Sequence, residues 1–517
     1  MSDYGFWNLA QRHPDRLVLV TPEGEELTGG GLLARVNRLS HGLRSLGLER
    51  SDVLATVLPN DGAMIEAYLA ALQCGLYLVP INHHLTGSEI AYIVDNAGAK
   101  AVLCGARFAD VCRTAVEEIR FPEAGRIAVG GAIPGFRDYE ALLASQPDTL
   151  PADRAAGQVM NYTSGTTGRP KGVRRPLAPL DPDTVGTFYG MFLAMFGIQP
   201  EQGNVHLVGS PLYHTAVLLF AGCSLHFGHA VVLMDKWTPE SSLALVEKYR
   251  VTTTHMVPTQ FHRLLALPDA VKQRYDVSSL RHVVHAAAPC PVDVKRRMLA
   301  WWGPVIHEYY AASEGGGTLV TPEEWLEYPG TVGRAWPSSE IRILDDAGDA
   351  VPQGTVGTVY MMLGSNDFEY HGDEDKTRAN RRDGFFTVGD VGYLNQAGYL
   401  FLCDRKIDMI ISGGVNIYPA EIESALLTHP KVGDAAVFGV PDPDWGESVK
   451  AVVEPAEGVT ASPELADDIL AFCAQRLAKY KCPRSVDFVA AMPRDPNGKL
   501  YKRKLRDPHW EGRDRAI

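Results

Sequence analysis

Apolar and polar positions alternate in blocks along much of the chain. Asp52 to Leu58 is a short apolar run of strand length. Asp61 to Cys74 then sets Met64, Ile65, Tyr68, Leu69 and Leu72 at helical spacing. Tyr77 to Ile81 returns to a strand pattern, and Thr86 with Glu89 forms a capping box that opens a helix through Asn96. Lys100 to Cys104 is another apolar run. The rhythm resumes at Ala230 to Met234, ahead of a helix opened by Thr238-Pro239 with proline in its first turn. Val251 to Val257 and Arg281 to His285 follow as strands, with a helix from Pro291. Strands separated by helices of this length predict parallel sheets covered by helices.

From about 317 to 403 the texture changes to short runs split by glycine. Glu340 to Leu344, Val356 to Leu363 and Tyr399 to Cys403 predict strands of a smaller β-rich unit. A further α/β pattern starts near Asp404: a helix over Pro419 to Leu427, strands over Val432 to Phe438 and Ser448 to Glu454, and a helix over Pro463 to Lys479. The fold expected is α/β: a large N-terminal domain, 1–403, with its β-rich subdomain at about 317–403, then a small α/β domain, 404–517. The length of 517 residues suits roughly three domain-sized units.

Composition changes this picture little: 45% of residues are hydrophobic and 21% charged, as in ordinary globular proteins. The formal net charge of −13 argues against nucleic-acid binding, so an anionic ligand needs locally basic surface such as Arg174-Arg175, Lys295-Arg296-Arg297 or Lys502-Arg503-Lys504. Eight cysteines show no C-x-x-C pair, which fits a reduced, cytoplasmic protein without structural zinc. No signal peptide is visible after Met1, and no transmembrane segment is expected. The most apolar region, Val205 to Met234, is broken by Pro211, histidines and glycines.

The stretch with most chemistry is Tyr162-Thr163-Ser164-Gly165-Thr166-Thr167-Gly168-Arg169-Pro170-Lys171-Gly172-Val173, which follows the apolar run ending at Val159-Met160. Its glycines let backbone N–H groups approach phosphate oxygens, Ser and Thr donate further hydrogen bonds, and Lys171 adds positive charge. The lysine precedes its glycine, so this is not the G-x-x-x-x-G-K-[ST] loop. The string resembles the phosphate-binding motif of the adenylate-forming superfamily: acyl-CoA synthetases, adenylation domains and luciferases.

Later strings match that superfamily in order over nearly the whole chain, and the resemblance implies the following roles. Thr163, Ser164, Gly165, Thr166, Thr167, Gly168 and Lys171 hold the ATP phosphates. Pro211-Leu212-Tyr213-His214 looks like the segment lining the acyl pocket, with His214 near the carboxylate and Phe220 further along the wall. Ala286-Ala287-Ala288 takes the place of the adenine loop, Ala286 also facing the acid. Within Tyr309-Tyr310-Ala311-Ala312-Ser313-Glu314, Tyr310 stacks on adenine, Ser313 contacts phosphate, and Glu314 with Thr163 binds Mg²⁺. Most relatives carry glycine where this chain has Ala311, a position that commonly borders the acyl pocket as well as the nucleotide, so the added methyl group bears on acyl-chain specificity and not on ATP binding. In Thr387-Val388-Gly389-Asp390, Asp390 takes the ribose hydroxyls. Asp404-Arg405-Lys406 resembles the hinge motif, with Asp404 the pivot of a mobile C-terminal domain and Arg405 reaching ribose or phosphate. Gly413 and Gly414 let coenzyme A pass close to backbone. Pro493-Arg494-Asp495-Pro496-Asn497-Gly498-Lys499 resembles the motif of the catalytic lysine, Lys499.

The resemblance thus implies an AMP-forming acid–thiol ligase using ATP, Mg²⁺ and coenzyme A on a small-molecule carboxylic acid, with room for a homodimer. No acidic residue in His214 to Phe220 could hold a substrate ammonium, which disfavours an amino-acid substrate. The small residues Ala216, Gly222, Ala286, Ala311, Ala312 and the glycines from Gly315 suggest volume for an extended or bulky apolar acid. The segments around Tyr309-Tyr310 and Asp404-Arg405-Lys406 resemble those of fatty-acid and steroid-side-chain CoA synthetases, and a polycyclic terpenoid or aryl acid would suit the same features. Alternatives are an acyl-AMP ligase that loads a carrier protein, an aryl-CoA ligase, and a non-catalytic nucleotide-binding module. The joint presence of Lys499, Glu314, Asp390 and Arg405 counts against the last.

Overall fold

The computed structural model describes residues 4–163, 170–364, 368–494 and 500–511. The chain divides into two compact units, one of Met1–Met256, Leu267–Val284 and Ser365–Ala379, the other of Val257–Ala266, His285–Gly364 and Asn380–Ile517.

The first unit contains a six-stranded, all-parallel sheet in the order Arg137–Asp138, Arg126–Val129, Ala99–Gly105, Val53–Val57, Tyr77–Pro80, Gln158–Val159. The connecting helices begin as the sequence directs. Asp61 accepts from the Met64 N–H at 2.9 Å to start the helix Gly62–Cys74, and Gly75 closes it at φ +71°. Thr86 and Glu89 form the expected reciprocal cap of the helix Gly87–Asn96. Ala63 to Cys74 are all buried, so that helix has no solvent face. Its two awkward side chains are satisfied: Glu66 accepts from Arg35 and from the Tyr139 hydroxyl, each at 2.6 Å, and Gln73 donates to Ser40 at 2.7 Å.

A second sheet in this unit runs Thr253–Met256, Val205–Val208, Ala230–Leu233, Leu17–Val20, all parallel, with Glu26–Thr28 antiparallel at its edge. The apolar stretch from Val205 therefore becomes a strand, the buried helix Thr215–His226 and the strand Ala230–Leu233, and among the described residues no helix is long and apolar enough to cross a membrane. Two elements lay outside the rhythm read from sequence. Leu17–Val20 finds its partner through a parallel pairing more than two hundred residues away. The helix Pro182–Ala194 rests on Thr215–His226 at Gly186 and Gly190, where a Cβ would meet the rings of His226 and Phe227 at 2.6 and 2.3 Å.

The second unit has the glycine-split strands as an antiparallel sheet built from Ser339–Leu344, Gly357–Leu363, Asp390–Leu394 and Leu400–Arg405. Ile306–Ala311, Gly317–Val320 and Arg334–Ala335 form another antiparallel run. Towards the C-terminus the strand Gly446–Pro455 forms a hairpin with Val432–Asp442, and its other edge takes both Ile410–Ser412, at Gly446, and a parallel strand, Ser485–Phe488, further along. The helices Pro419–Leu426 and Pro463–Ala474 contribute Ile422, Leu426, Leu465, Ile469 and Cys473 to its core. The last helix stops earlier than its apolar pattern suggested. The N–H groups of Arg476 and Leu477 both turn back to the Cys473 carbonyl, and Cys482, preceding Pro483, is held extended. All eight cysteines are free thiols.

The first unit buries several neutral imidazoles. Burial lowers His206 and His226 to about 3 and His229 to about 4. His226 Nδ1 accepts from the Phe6 N–H at 3.2 Å, which fixes its proton on Nε2. The native state disfavours the charged ring, so the unfolded chain takes up the proton first. Stability is full above the ordinary value of 6.5 and falls below it, by about 1.4 kcal/mol per group per pH unit. Thermal unfolding followed by circular dichroism should therefore shift down by several degrees between about pH 7.5 and about pH 5. An unchanged melting temperature would mean that these rings stay hydrated or charged in the native state.

Candidate active site

The ends of the predicted phosphate loop are a paired hairpin in the first unit. Asn161–Thr163 runs antiparallel to Lys171–Arg174, with Thr163 opposite Lys171. Ser164, Gly165, Thr166, Thr167 and Gly168 lie outside the described residues. Gly172 must lack a side chain because a Cβ would meet the Tyr162 ring at 3.0 Å. A third strand, Glu369–Tyr370, extends the hairpin. Its continuation supplies two partners that nothing in the local sequence announces: Asp373 forms an ion pair with Lys171, and the His371 N–H donates to the Gly172 carbonyl at 2.8 Å. Arg174 lies over the Tyr77 ring at 4.6 Å.

Pro211 to His214 leads into the helix Thr215–His226, with His214 at the capping position. Asn60 pins this turn. Its amide donates to the Ser210 and Met234 carbonyls, each at 2.9 Å, while its oxygen accepts from the Leu212 N–H at 2.7 Å. The Tyr213 ring lies 4.4 Å from His214 and meets His83 edge-on at 5.1 Å, and His83 stacks on Phe108 at 4.4 Å. Burial, then the neighbouring His84, lowers His83 to about 4, so this ring is neutral near pH 7. Phe220 is buried among Phe192, Phe196, His255 and the stacked His206, at centroid distances of 5.4, 5.5, 5.0 and 6.2 Å.

In the second unit the nucleotide residues assemble through sheet register. Asp390 and Arg405 face each other across two antiparallel strands, with Arg405 Nε 3.3 Å from Asp390 Oδ1. The Tyr310 hydroxyl donates to the other oxygen, Asp390 Oδ2, at 2.6 Å. Burial and then the Asp390 charge raise the Tyr310 phenol well above its usual value, so it stays a donor. Ala286 is buried and Ala287 is exposed at φ +75°, a left-handed conformation in a non-glycine residue. Ser313 is half-buried and Glu314 buried.

The departure at Ala311 has a local answer. Ala311 pairs with Gly317, where a Cβ would lie 3.0 Å from the Ala311 methyl and 2.4 Å from the Tyr310 carbonyl. This corrects the volume expected from small residues. The space at Gly317 is filled by Ala311, Tyr310 and Trp336, and at Gly222 by the Tyr68 ring, 2.3 Å from a notional Cβ. These glycines permit close packing and free no pocket.

Asp404, expected from sequence to be the hinge, is firmly held. Cys403 is an extra residue in its strand, since Val391 pairs with Asp404 and Gly392 with Leu402, so a bulge immediately precedes Asp404. The Asp404 carboxylate accepts from the Ala420 N–H at 2.8 Å, in the first turn of the helix Pro419–Leu426. Glu423 in that helix pairs with the mostly buried Lys502 at 2.8 Å. Gly413 lies at φ +58° beneath Trp445, whose ring a Cβ would meet at 2.4 Å, while Gly414, at φ +78°, has nothing within 4 Å. Trp445 is 51% exposed and was not singled out from sequence. Lys499 lies outside the described residues. Its flank is anchored by Arg494, which holds Asp434 with a two-pronged contact at 2.5 and 2.7 Å and bridges to Leu500.

Comparison with known proteins agrees with this arrangement. Residues 6–364 match the AMP-binding enzyme model and 421–499 the AMP-binding enzyme C-terminal domain. A fatty acid–[acyl-carrier-protein] ligase, ScoC, from Streptomyces coeruleorubidus is 31% identical, covering 98% of this chain and 96% of that protein. A feruloyl-CoA synthase from an Amycolatopsis species is 34% identical, covering 93% and 94%. The ATP-bound crystal structure of MatB from Rhodopseudomonas palustris matches with a TM-score of 0.81 at 28% identity, over 98% of this chain and 99% of that one. The chain belongs to the AMP-binding enzyme family, within the adenylate-forming superfamily. It is an AMP-forming acid–thiol ligase.

The Lys171–Asp373 pair gives a direct test of how the phosphate hairpin is charged. Asp373→Asn should leave Lys171 free for a phosphate and lower the KM for ATP by about two- to fivefold at low salt, with a smaller effect at high salt. An unchanged or raised KM would mean that the pair fixes the hairpin and does not compete with the ligand.

Proposed function

We propose that this protein activates a hydrophobic carboxylic acid (fatty, steroid-side-chain or polycyclic terpenoid) as an acyl-AMP and transfers the acyl group to coenzyme A, releasing AMP and pyrophosphate. The observation that carries the nucleotide reading is Asp390 held between Tyr310 and Arg405. A carboxylate can accept from two adjacent ribose hydroxyls, the guanidinium beside it can face phosphate, and a planar ring stands next to both.

A carboxylate is a poor electrophile, and joining it to AMP removes its charge and creates a leaving group. The acid oxygen attacks the α-phosphorus in line with departing pyrophosphate, forming the O–P bond as the P–O bond to pyrophosphate breaks. Lys499 supplies positive charge to the phosphoryl oxygens, and the Ser164 to Gly168 loop with Lys171 holds the rest of the triphosphate. Held anions also react faster because their approach is already arranged. Glu314 and Thr163 offer one carboxylate and one hydroxyl, hard oxygen donors of the kind Mg²⁺ takes alongside ATP phosphates. They would hold that ion, which screens the accumulating negative charge. His214, next to the Tyr213 ring, borders the acid.

For the second half-reaction, residues 404–517 turn about Asp404. Lys499 withdraws, and Gly413-Gly414 admits the pantetheine thiol, which attacks the acyl carbonyl and expels AMP. The similarity to a carrier-protein ligase over nearly the full length favours a second reading, in which the thiol belongs to an acyl carrier protein. The feruloyl-CoA synthase relative keeps an aryl acid among the candidate substrates.

Lys499→Ala should abolish pyrophosphate release with any acid yet leave attack of the thiol on supplied acyl-AMP largely intact. Equal loss of both half-reactions rejects the two-state reading. Asp404→Pro should slow thioester formation more than adenylation, and an unaltered thioester rate would move the pivot elsewhere. A panel of acids with and without coenzyme A, read by pyrophosphate release and thioester product, separates the readings. Release without a coenzyme A thioester would favour carrier-protein loading.

A further inference from the structure

Behind the residues assigned to adenine lies a charged cluster that neither half-reaction uses. Lys295 and His285 are fully buried, and Glu308 is 5% exposed. Lys295 Nζ lies 2.6 Å from Glu308 Oε2, and His285 Nε2 lies 3.3 Å from the same oxygen. The ammonium rests 4.7 Å from the Trp325 ring centroid, and the Phe261 ring packs edge-on to His285 at 5.2 Å. Desolvation would raise the Glu308 carboxyl, but the Lys295 ammonium beside it holds it below the usual carboxylate range. Burial lowers His285.

An ion pair removed from water in this way is a poor source of stability, since apolar side chains of similar volume commonly do as well or better. What it does supply is a fixed geometry, and its three members stand at telling places. His285 is the last residue before Ala286 and the left-handed Ala287. Lys295 is in the helix Val292–Trp302 that leaves the loop. Glu308 is two residues before Tyr310 in the strand Ile306–Ala311, on the same face. A backbone conformation that L-residues avoid persists only where its surroundings over-determine it.

We propose that Lys295 and Glu308, with His285 packed beside them, are positioning residues for the nucleotide: the buried ion pair ties the helix that leaves the strained Ala286–Ala288 loop to the strand bearing Tyr310, and the His285 ring at the loop's start rests against it. The loop and the ring then form a single preset slot for a purine base. The inference rests on the adenylating reading above, and it assigns the three residues no contact with ATP.

The test is ATP affinity of the full chain by titration calorimetry, which needs no knowledge of the acid. Wild-type protein that fails to bind ATP overturns both this inference and the adenylating reading. Given wild-type binding, Glu308→Gln should weaken ATP affinity by about tenfold or more while affinity for pyrophosphate stays within about twofold. Adding Ala287→Gly, which adopts positive φ without strain, should recover most of the loss. Should Glu308→Gln not fold, the double variant Lys295→Met, Glu308→Leu keeps the volume, and the same pattern is expected of it. Unchanged ATP affinity in a folded variant overturns the inference. So does a loss shared by pyrophosphate, or one that Ala287→Gly leaves in place, because a merely structural role predicts those outcomes.

Discussion

A single carboxylate, Asp390, holds the nucleotide side of this molecule together. It stands directly across two antiparallel strands from Arg405 and accepts from Tyr310, which arrives on a different sheet run. The protein has a formal net charge of −13, so a polyanionic ligand meets it against an unfavourable background field. Cations therefore have to be delivered one at a time, each next to a counter-charge that keeps it in place. Arg405 is steadied by Asp390, Lys171 by Asp373 and Arg494 by Asp434. The pattern favours local order over bare positive potential, since each cation is partly neutralised by its own partner.

The same economy appears in how the backbone is shaped. Strand register, and not loop flexibility, sets Asp390 opposite Arg405, Thr163 opposite Lys171 and Ala311 opposite Gly317. A one-residue slip in any of these pairings would send the side chain to the other face. Close approach does the rest. Gly172 clears the Tyr162 ring and Gly413 clears Trp445, each because a Cβ would collide with an aromatic ring.

Local signals carried much of the fold. The capping box at Thr86, the Asp61 cap and the Thr238-Pro239 helix start involve residues three or four apart, and the structure realises each as written. The strand Leu17–Val20 has a local neighbour in Glu26–Thr28, but what places it in the parallel sheet is a pairing far along the chain, and the helix Pro463–Ala474 ended early through a turn that its apolar period does not encode. The site divides in the same way. Tyr310, Asp390 and Arg405 were legible because each sits in a distinctive string. Asp373, Asn60, Trp445 and the Lys295–Glu308 pair were not, since their significance lies in what they touch. Small residues misled where they were read as empty space: at Gly222 and Gly317 the missing side chain is replaced by a neighbour's ring or methyl group.

The helix Pro419–Leu426 deserves its short length. Asp404 fastens to its first turn through the Ala420 N–H, and Glu423, one turn on, grips Lys502, three positions beyond Lys499. Asp404 and Lys502 are thus fastened to the same short helix, at points three residues apart. Displacing the strand end at the Cys403 bulge must either break the Asp404–Ala420 hydrogen bond or carry the helix, with Glu423 and Lys502, along with it.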